Sequence, residues 1–282
     1  MKQLLIISGK GGTGKTTLSA YFAILEKQTV IADCDVDAAN MHLILKPTIK
    51  QTEKFISGKI ASIDPSLCNK CGKCVEACRF DAIEKFQVND IACEGCAFCY
   101  HVCPNNAISM TKNLCGEWYI SDTNYGTMVH AKLLPGAENS GRLVTQVRNT
   151  AKEIAEKQNA PYLIIDGPPG TGCPVIASMS GVDAVMVVTE PTVSGMHDMK
   201  RILELTKHFG IKTSVCINKY DINCAMSDEI ENFVEQTDNR IIGRIPFDKT
   251  IVDALICGKS IFDYPNNKTA LEIKKIWNSF KT

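Results

Sequence analysis

The stretch ISGKGGTGKTT, residues 7–17, fits the pattern G-x-x-x-x-G-K-[ST] over Gly9–Thr16. An apolar run, Leu4–Ile7, precedes it, and helical spacing over Lys15–Lys27 follows. A strand, a glycine-rich turn and a helix in that order are what phosphate binding needs. Glycines let the backbone bend so that successive N–H groups face an anion, and the helix N-terminus adds partial positive charge. Gly11, Gly12, Thr13 and Gly14 are therefore expected to cradle a phosphate chain. Lys15 should reach the β- and γ-phosphates, the Thr16 hydroxyl should bind Mg²⁺, and Thr17 should donate on the α-phosphate side.

Outward from this loop the chain alternates between short apolar runs and helical patterns. Strands are expected at 30–33, 162–166, 184–190, 213–218 and 240–246. Helices are expected at 140–158, 174–179, 194–209, 225–236 and 269–280, with one more between the last strand and the last helix. Apolar runs of four to six between helices predict a doubly wound, mostly parallel α/β sheet covered on both faces. Between 48 and 63 the pattern reads as short strands. EWYISD and YGTMVHAKLL read as a hairpin turning at Thr123–Gly126.

The chain has fourteen cysteines in 282 residues, and eight of them fall between Cys68 and Cys103. They form an internal repeat. Cys68, Cys71, Cys74, Cys78, Ala82 and Ile83 recur 25 positions later as Cys93, Cys96, Cys99, Cys103, Ala107 and Ile108. C-x2-C-x2-C-x3-C twice over is the bacterial ferredoxin arrangement. Thiolates are soft anionic ligands, and four of them close a [4Fe–4S] cluster. In that arrangement three close cysteines wrap one cluster and the fourth ligates the other. One set is then Cys68, Cys71, Cys74 and Cys103, and the second is Cys78, Cys93, Cys96 and Cys99. Zinc is the alternative metal, though zinc sites rarely carry such a repeat. Cys103 precedes Pro104 as ferredoxins prefer, whereas Cys78 precedes Arg79. The expected organisation is an ATPase domain, 1–61 with 111–282, interrupted by a small α+β ferredoxin-like insert, 62–110.

Lys10 is a second lysine within the loop, and K-G-G-x-G-K-[ST] over Lys10–Thr16 resembles the deviant Walker A pattern. MinD and ParA proteins, Mrp-type iron–sulfur carrier ATPases and the nitrogenase iron protein share it. The resemblance, closest to MinD/Mrp-like ATPases, covers essentially the whole chain and implies a MinD-like P-loop fold. It also implies that Lys10 reaches a partner subunit's nucleotide and that ATP favours a face-to-face dimer. Asp33–Asp37 (DCDVD) resembles switch I, where Asp35 is assigned to the attacking water and the metal, with Asp37 second. DGPPGTG from Asp166 resembles the Walker B aspartate with switch II, so Asp166 is expected at Mg²⁺. Asn218-Lys-Tyr-Asp looks like a guanine motif, yet the family uses the matching Asn for adenine. ATP is accordingly favoured, with Asn218, Pro246 and Asp248 around the base. Cys173 stands seven residues after Asp166, as does a cluster ligand of the nitrogenase iron protein. An extra cluster, a reactive thiol and a packing cysteine remain open for it.

These features imply a slow, partner-stimulated, Mg-dependent ATPase holding ATP or ADP and two [4Fe–4S] clusters, as a homodimer or a heterodimer with a paralogue. Three uses follow. It assembles or delivers a metallocluster to a client metalloprotein, it is an ATP-gated electron donor to a redox partner, or it is a spatial ATPase whose clusters sense redox state. Lys+Arg and Asp+Glu are balanced at 31 each, which argues against a nucleic-acid partner. The opening apolar run is too short for a signal peptide or a membrane span, so a cytoplasmic location is expected. The last helix carries an apolar stripe, Leu271, Ile273, Ile276, Trp277 and Phe280, read as packing in preference to membrane docking.

Overall fold

The structure, a computed structural model, describes residues 1–26 and 28–281; the expected end of the first helix at Lys27 lies outside the described residues. The chain divides into two compact units. The first comprises Met1–Thr52, Trp118–Lys132 and the chain from Ser140 onward, and the second Glu53–Glu117 with Leu133–Asn139.

In the first unit β1 (Lys2–Ser8) leads through the loop into α1 (Lys15–Leu25) and β2 (Thr29–Asp33). A short α2 (Met41–Leu45) follows, and then β3 (Thr48–Ile63), one strand of 16 residues where the sequence pattern read as several short ones. β3 and, later, β6 (Ile108–Thr123) each run on from one unit into the other. β6 turns at Asn124–Tyr125 into β7 (Gly126–Leu133). The Thr123 hydroxyl ties that turn, donating to the Gly126 carbonyl at 2.7 Å. After α5 (Ser140–Lys157) come β8 (Tyr162–Pro169), α6 (Cys173–Met179), β9 (Ala184–Thr189), α7 (Val193–His208), β10 (Lys212–Asn218), α8 (Cys224–Glu235), β11 (Arg240–Ile245), α9 (Lys249–Ile256) and α10 (Lys268–Lys281). The elements α3 (Lys73–Ala77), β4 (Ile83–Glu84), β5 (Gln87–Val88) and α4 (Phe98–Val102) belong to the second unit.

The sheet order is β11-β10-β9-β1-β8-β2-β7-β6-β3. β1 lies parallel between β8 and β9, β2 is parallel to β7 and β8, and β10 is parallel to β9 and β11. Leu4–Ile7 and all of β2 are buried, as strands covered on both faces must be. From β1 the chain crosses to β2 on one side, and from β9 to β10 and β11 on the other. The carboxyl ends of the central strands therefore open at the crevice where α/β sheets bind ligands.

The apolar stripe of α10 packs inward except at Leu271, which is exposed. Ile273, Ile276 and Trp277 are buried. The Trp277 ring stacks on Phe22 at 5.0 Å and meets Tyr162 edge-on at 5.2 Å, and its indole N–H donates to Glu26 at 3.0 Å. Trp277→Ala is expected to cost about 3–5 kcal/mol of stability, the usual cost of emptying a buried aromatic site, measurable by denaturant unfolding. Among the described residues no helix is long and apolar enough to cross a membrane.

In the second unit the repeat of sequence is a repeat of backbone. α3 (Lys73–Ala77) and α4 (Phe98–Val102) stand 25 positions apart. Left-handed residues recur at the same interval: Lys70 and Gly95, Gly72 and Ala97, Asp81 and Asn106. A two-stranded hairpin, β4 (Ile83–Glu84) with β5 (Gln87–Val88), turns through Lys85 and Phe86, both at positive φ as such a tight turn requires. Ala61, Cys74, Ile83, Cys99 and Ile108 form its core.

Candidate functional site

The loop after β1 bends as glycine alone permits easily: Gly12 and Gly14 have φ of 81° and 89°. A Cβ on Gly14 would also stand 2.4 Å from the Asn218 amide nitrogen. That amide, at the end of β10, donates to the Thr13 carbonyl at 2.8 Å, and the Lys219 ammonium reaches the Gly12 carbonyl at 3.4 Å. β10 thus pins the loop from beneath. Asn218, expected at the base, has its amide N–H engaged in this support.

Three carboxylates gather at the ends of β2 and β8 around one buried ammonium. Lys15 Nζ lies 2.7 Å from Asp35 Oδ2. Burial pulls the Lys15 ammonium toward neutrality, but Asp166, Asp35 and Asp33 together outweigh it and raise its pKa. Asp33 and Asp166 are fully buried, each with one oxygen that has no hydrogen-bond partner. Burial, with Asp166 opposite, holds Asp33 well above the ordinary carboxylate range. Burial also raises Asp166, against the pull of Lys15 and of hydrogen bonds from the Thr16 and Ser19 hydroxyls, the latter 2.8 Å away. Ser19 sits one helical turn after Lys15 and therefore faces the same way. Carboxylate oxygens left without a partner beside a phosphate loop are of the chemical type a hard divalent cation takes.

Above this cluster lies an open cleft of about 850 Å³, lined by Gly11, Gly12, Gly14, Lys15, Thr16 and Thr17 of the loop. Asp35, Asp37 and Asn40, after β2, form one side. Pro168, Pro169 and Pro174 close another side, and Leu43, Ile44, Leu255 and Ile256 supply apolar walls. The size suits a nucleotide. Pro246 and Asp248 are not among the lining residues. Asp248 caps α9, accepting from the Thr250 N–H at 2.8 Å and from Asn267 at 2.9 Å. Those hydrogen bonds outweigh its partial burial and bring its carboxyl down to about 2.

Lys10 is held within its own subunit. Its ammonium donates to the Ser194 and Thr192 hydroxyls at 3.2 and 3.3 Å and lies 3.8 Å from Glu190, which also binds Lys219. Cys173 opens α6 and is exposed, which removes the packing alternative for it. Cys115 is buried in the second unit, with its thiol on the Ser57 carbonyl at 3.1 Å. Cys34 is buried between the switch aspartates, where burial pushes its thiol far up and out of reactive range.

In the second unit the eight cysteines gather around two cavities. One is lined by Cys68, Cys71, Cys74 and Cys103, the other by Cys78, Cys93, Cys96 and Cys99. Burial raises the Cys74 thiol, with Cys68 and Cys103 adding to the shift. Cys99 is raised likewise, with Cys93, Cys96 and Cys78 as its neighbours. A backbone N–H faces one sulfur in each cavity: Ala107 N–H donates to Cys103 Sγ at 3.3 Å, and Ala82 N–H to Cys78 Sγ at 3.4 Å. Among the described residues no three His, Cys, Asp or Glu converge tightly enough for a single metal ion. A four-iron cluster puts each thiolate on a different iron and so sets the sulfurs wider apart.

A family model described as the CobQ/CobB/MinD/ParA nucleotide binding domain matches residues 4–261. The chain belongs to that family. An uncharacterized protein of Methanocaldococcus jannaschii is 35% identical over 282 residues, covering 99% of this chain and 96% of its own. The iron-sulfur cluster carrier protein of Rickettsia typhi is 23% identical over 266 residues, covering 92% of this chain and 65% of its own. The Pyrococcus horikoshii septum site-determining protein MinD, solved with Mg-ADP, is similar in fold, with a TM-score of 0.59 and 18% identity over 100% of this chain and 96% of that one. Membership in the CobQ/CobB/MinD/ParA family accounts for the parallel sheet and the phosphate loop at its crevice. The eight cysteines need an account of their own. Ser19, the Glu190–Thr192–Ser194 hold on Lys10 and the apolar walls from α2 and α9 escape a motif search, because each joins stretches of chain far apart in sequence. The helical offset of Ser19 from Lys15 was the one local signal.

Proposed function

We propose that this chain is a Mg²⁺-dependent ATPase carrying two [4Fe–4S] clusters, and that it serves in assembling or delivering a metallocluster to a client protein. The observation that carries the reading is the sorting of eight cysteines into two crossed quartets, each around its own cavity, on the chain of a nucleotide-binding ATPase domain. Soft thiolates and a backbone N–H toward a sulfur in each quartet are what iron–sulfur ligation asks for. The similarity to an iron-sulfur cluster carrier protein supports it. Bound clusters supply one-electron chemistry.

At the nucleotide cleft the loop N–H groups bind the phosphates. Thr16, Asp35 and Asp166 are the residues to hold Mg²⁺, and Asp35 orients the attacking water. The γ-phosphate competes with Asp35 for the Lys15 ammonium, so phosphate binding sets that carboxylate free for its task. Lys10 exchanges its hold on Thr192, Ser194 and Glu190 for a partner subunit's phosphates, in a homodimer or with a paralogue. Asn218 serves the base side through the loop it supports. Cys173, exposed at a helix start, is a thiol available to a further ligand.

A second reading, ATP-gated electron donation to a redox partner, is favoured by one feature. Each quartet draws cysteines from both halves of the repeat, so the ligand shells interlock and resist release of a cluster.

Anaerobically purified protein is expected to hold about eight irons per chain. The crossing has its own test. Cys71→Ala and Cys103→Ala should each remove about half the iron, and the double variant no more than either alone. Cys71→Ala with Cys78→Ala should remove nearly all. A reversed pattern would overturn the crossed assignment. Transfer of iron and sulfide to an apo-protein supports delivery; ATP-dependent reduction of a partner with full iron retained supports donation instead.

A further inference from the structure

The repeat in the second unit supplies an internal control. Positions related by an offset of 25 occupy the same backbone, so any difference between the two cavities lies in the side chains. The four thiols match. The backbone hydrogen bonds to sulfur match as well, at 3.3 and 3.4 Å. Four lining positions do not, and at one of them, Gly72 against Ala97, the difference is a single methyl. Asn69, Lys73 and Asn105 line the cavity of Cys68, Cys71, Cys74 and Cys103, and their counterparts Glu94, Phe98 and Phe80 line the other. At these positions the first cavity has a lysine and two asparagines where the second has a glutamate and two phenylalanines; the first cavity has one ring of its own, Phe86. Lys73 is the one charged residue lining the first cavity, and Glu94 the one lining the second. Arg79, which takes the place of Pro104, is exposed and does not line its cavity.

Reducing a four-iron cluster adds one negative charge to a group already made anionic by four thiolates. A nearby cation and polar amides favour that added charge; a nearby anion and apolar walls oppose it. We infer that the two clusters are electrically unequal: the one held by Cys68, Cys71, Cys74 and Cys103 takes an electron first, and the one held by Cys78, Cys93, Cys96 and Cys99 is the stronger reductant. This rests on the proposed cluster content. Each cluster exchanges one electron with a low-potential one-electron donor such as dithionite, and no bond is made or broken. Phe80 and Phe98 are 45% and 55% exposed, so the stronger reductant is the one flanked by accessible rings.

The test is a redox titration of the anaerobic full-length protein with dithionite, followed by electron paramagnetic resonance. Two separate one-electron steps are expected. Cys71→Ala, which removes the first cluster, should leave only the lower-potential step and so assigns it. Lys73→Gln should lower the upper step and leave the lower one in place. Glu94→Gln should raise the lower step alone, and the double variant should narrow the gap. Lys73 and Glu94 are exposed, so these substitutions leave the core untouched. About eight irons with one unsplit step, or a Lys73→Gln shift in the lower step, overturns the inference. Absent iron overturns the cluster reading instead, so the two failures are told apart by metal analysis.

Discussion

Replacing Lys15 by alanine is expected to lower ATP hydrolysis by about 10²–10³-fold, the usual loss when one donor to a developing anionic centre is removed. The same substitution should also destabilise the fold. Lys15 is the ammonium set among Asp33, Asp35 and Asp166, and its 2.7 Å pair with Asp35 is buried on both sides. Breaking a buried pair by deleting one member costs about 3–5 kcal/mol, because the remaining charge has no compensation. Lys15→Arg separates the two effects. It keeps a positive charge for the carboxylates, so most of the stability should return. The planar guanidinium cannot take the place of a compact ammonium threaded through the loop, so turnover should stay low. Steady-state phosphate release and thermal unfolding of the three proteins check both halves. Undiminished hydrolysis by Lys15→Ala would remove the loop from the reaction.

Much of the first unit is legible locally. LLII ahead of the glycine loop, and the runs at 30–33, 162–166, 184–190 and 213–218, each become a largely buried strand because a sheet covered on both faces demands unbroken apolar residues, while the run at 240–246 becomes the partly exposed edge strand β11. Most strand and helix ends fall within a residue or two of the sequence expectation, the ordinary latitude of such boundaries, though β8 runs on to Pro169 and β6 begins at Ile108, ahead of the expected EWYISD. The 48–63 segment departs further. Its polar residues and Gly58 interrupt the pattern, yet partners on β6 hold it as one strand. Pairing across 50 or more residues of chain leaves no local mark.

The candidate sites divide the same way. The ferredoxin arrangement that the cysteine spacing resembles implies the same two sets that line separate cavities. It cannot say that Asn218 anchors Thr13, that Asp248 caps a helix, or that Lys10 rests on the start of α7. Those depend on which strand ends lie side by side at the crevice. The asymmetry between the cavities is also invisible to motif reading. A search for cysteines registers what the repeats share and passes over Lys73 standing where the other half has Phe98.

Asp166→Asn is expected to make the protein more stable and nearly inactive. In the native fold this carboxylate is fully buried, one oxygen has no partner, and Asp33 and Asp35 stand close by with one ammonium among the three. An amide is isosteric, carries no charge and can still bond the Ser19 hydroxyl. Relieving the unmatched charge should raise stability by about 1–3 kcal/mol, the scale of an unsatisfied buried polar group. The sign follows from linkage. Burial raises the Asp166 pKa, so the folded chain holds that proton more tightly than the unfolded one. Stability from this group is greatest in acid and is lost as pH rises from the ordinary carboxylate range through the raised native value. The gain from asparagine should therefore be full at neutral pH and fade on acidification. Hydrolysis should fall by about 10²–10³-fold, since the oxygen that is idle in the fold is the one proposed for the cation. Thermal unfolding at two pH values, beside phosphate release in Mg²⁺, measures both. A destabilised Asp166→Asn at neutral pH would mean that the carboxylate is held for its structural bonds, and the argument for a cation site at the end of β8 would fail with it.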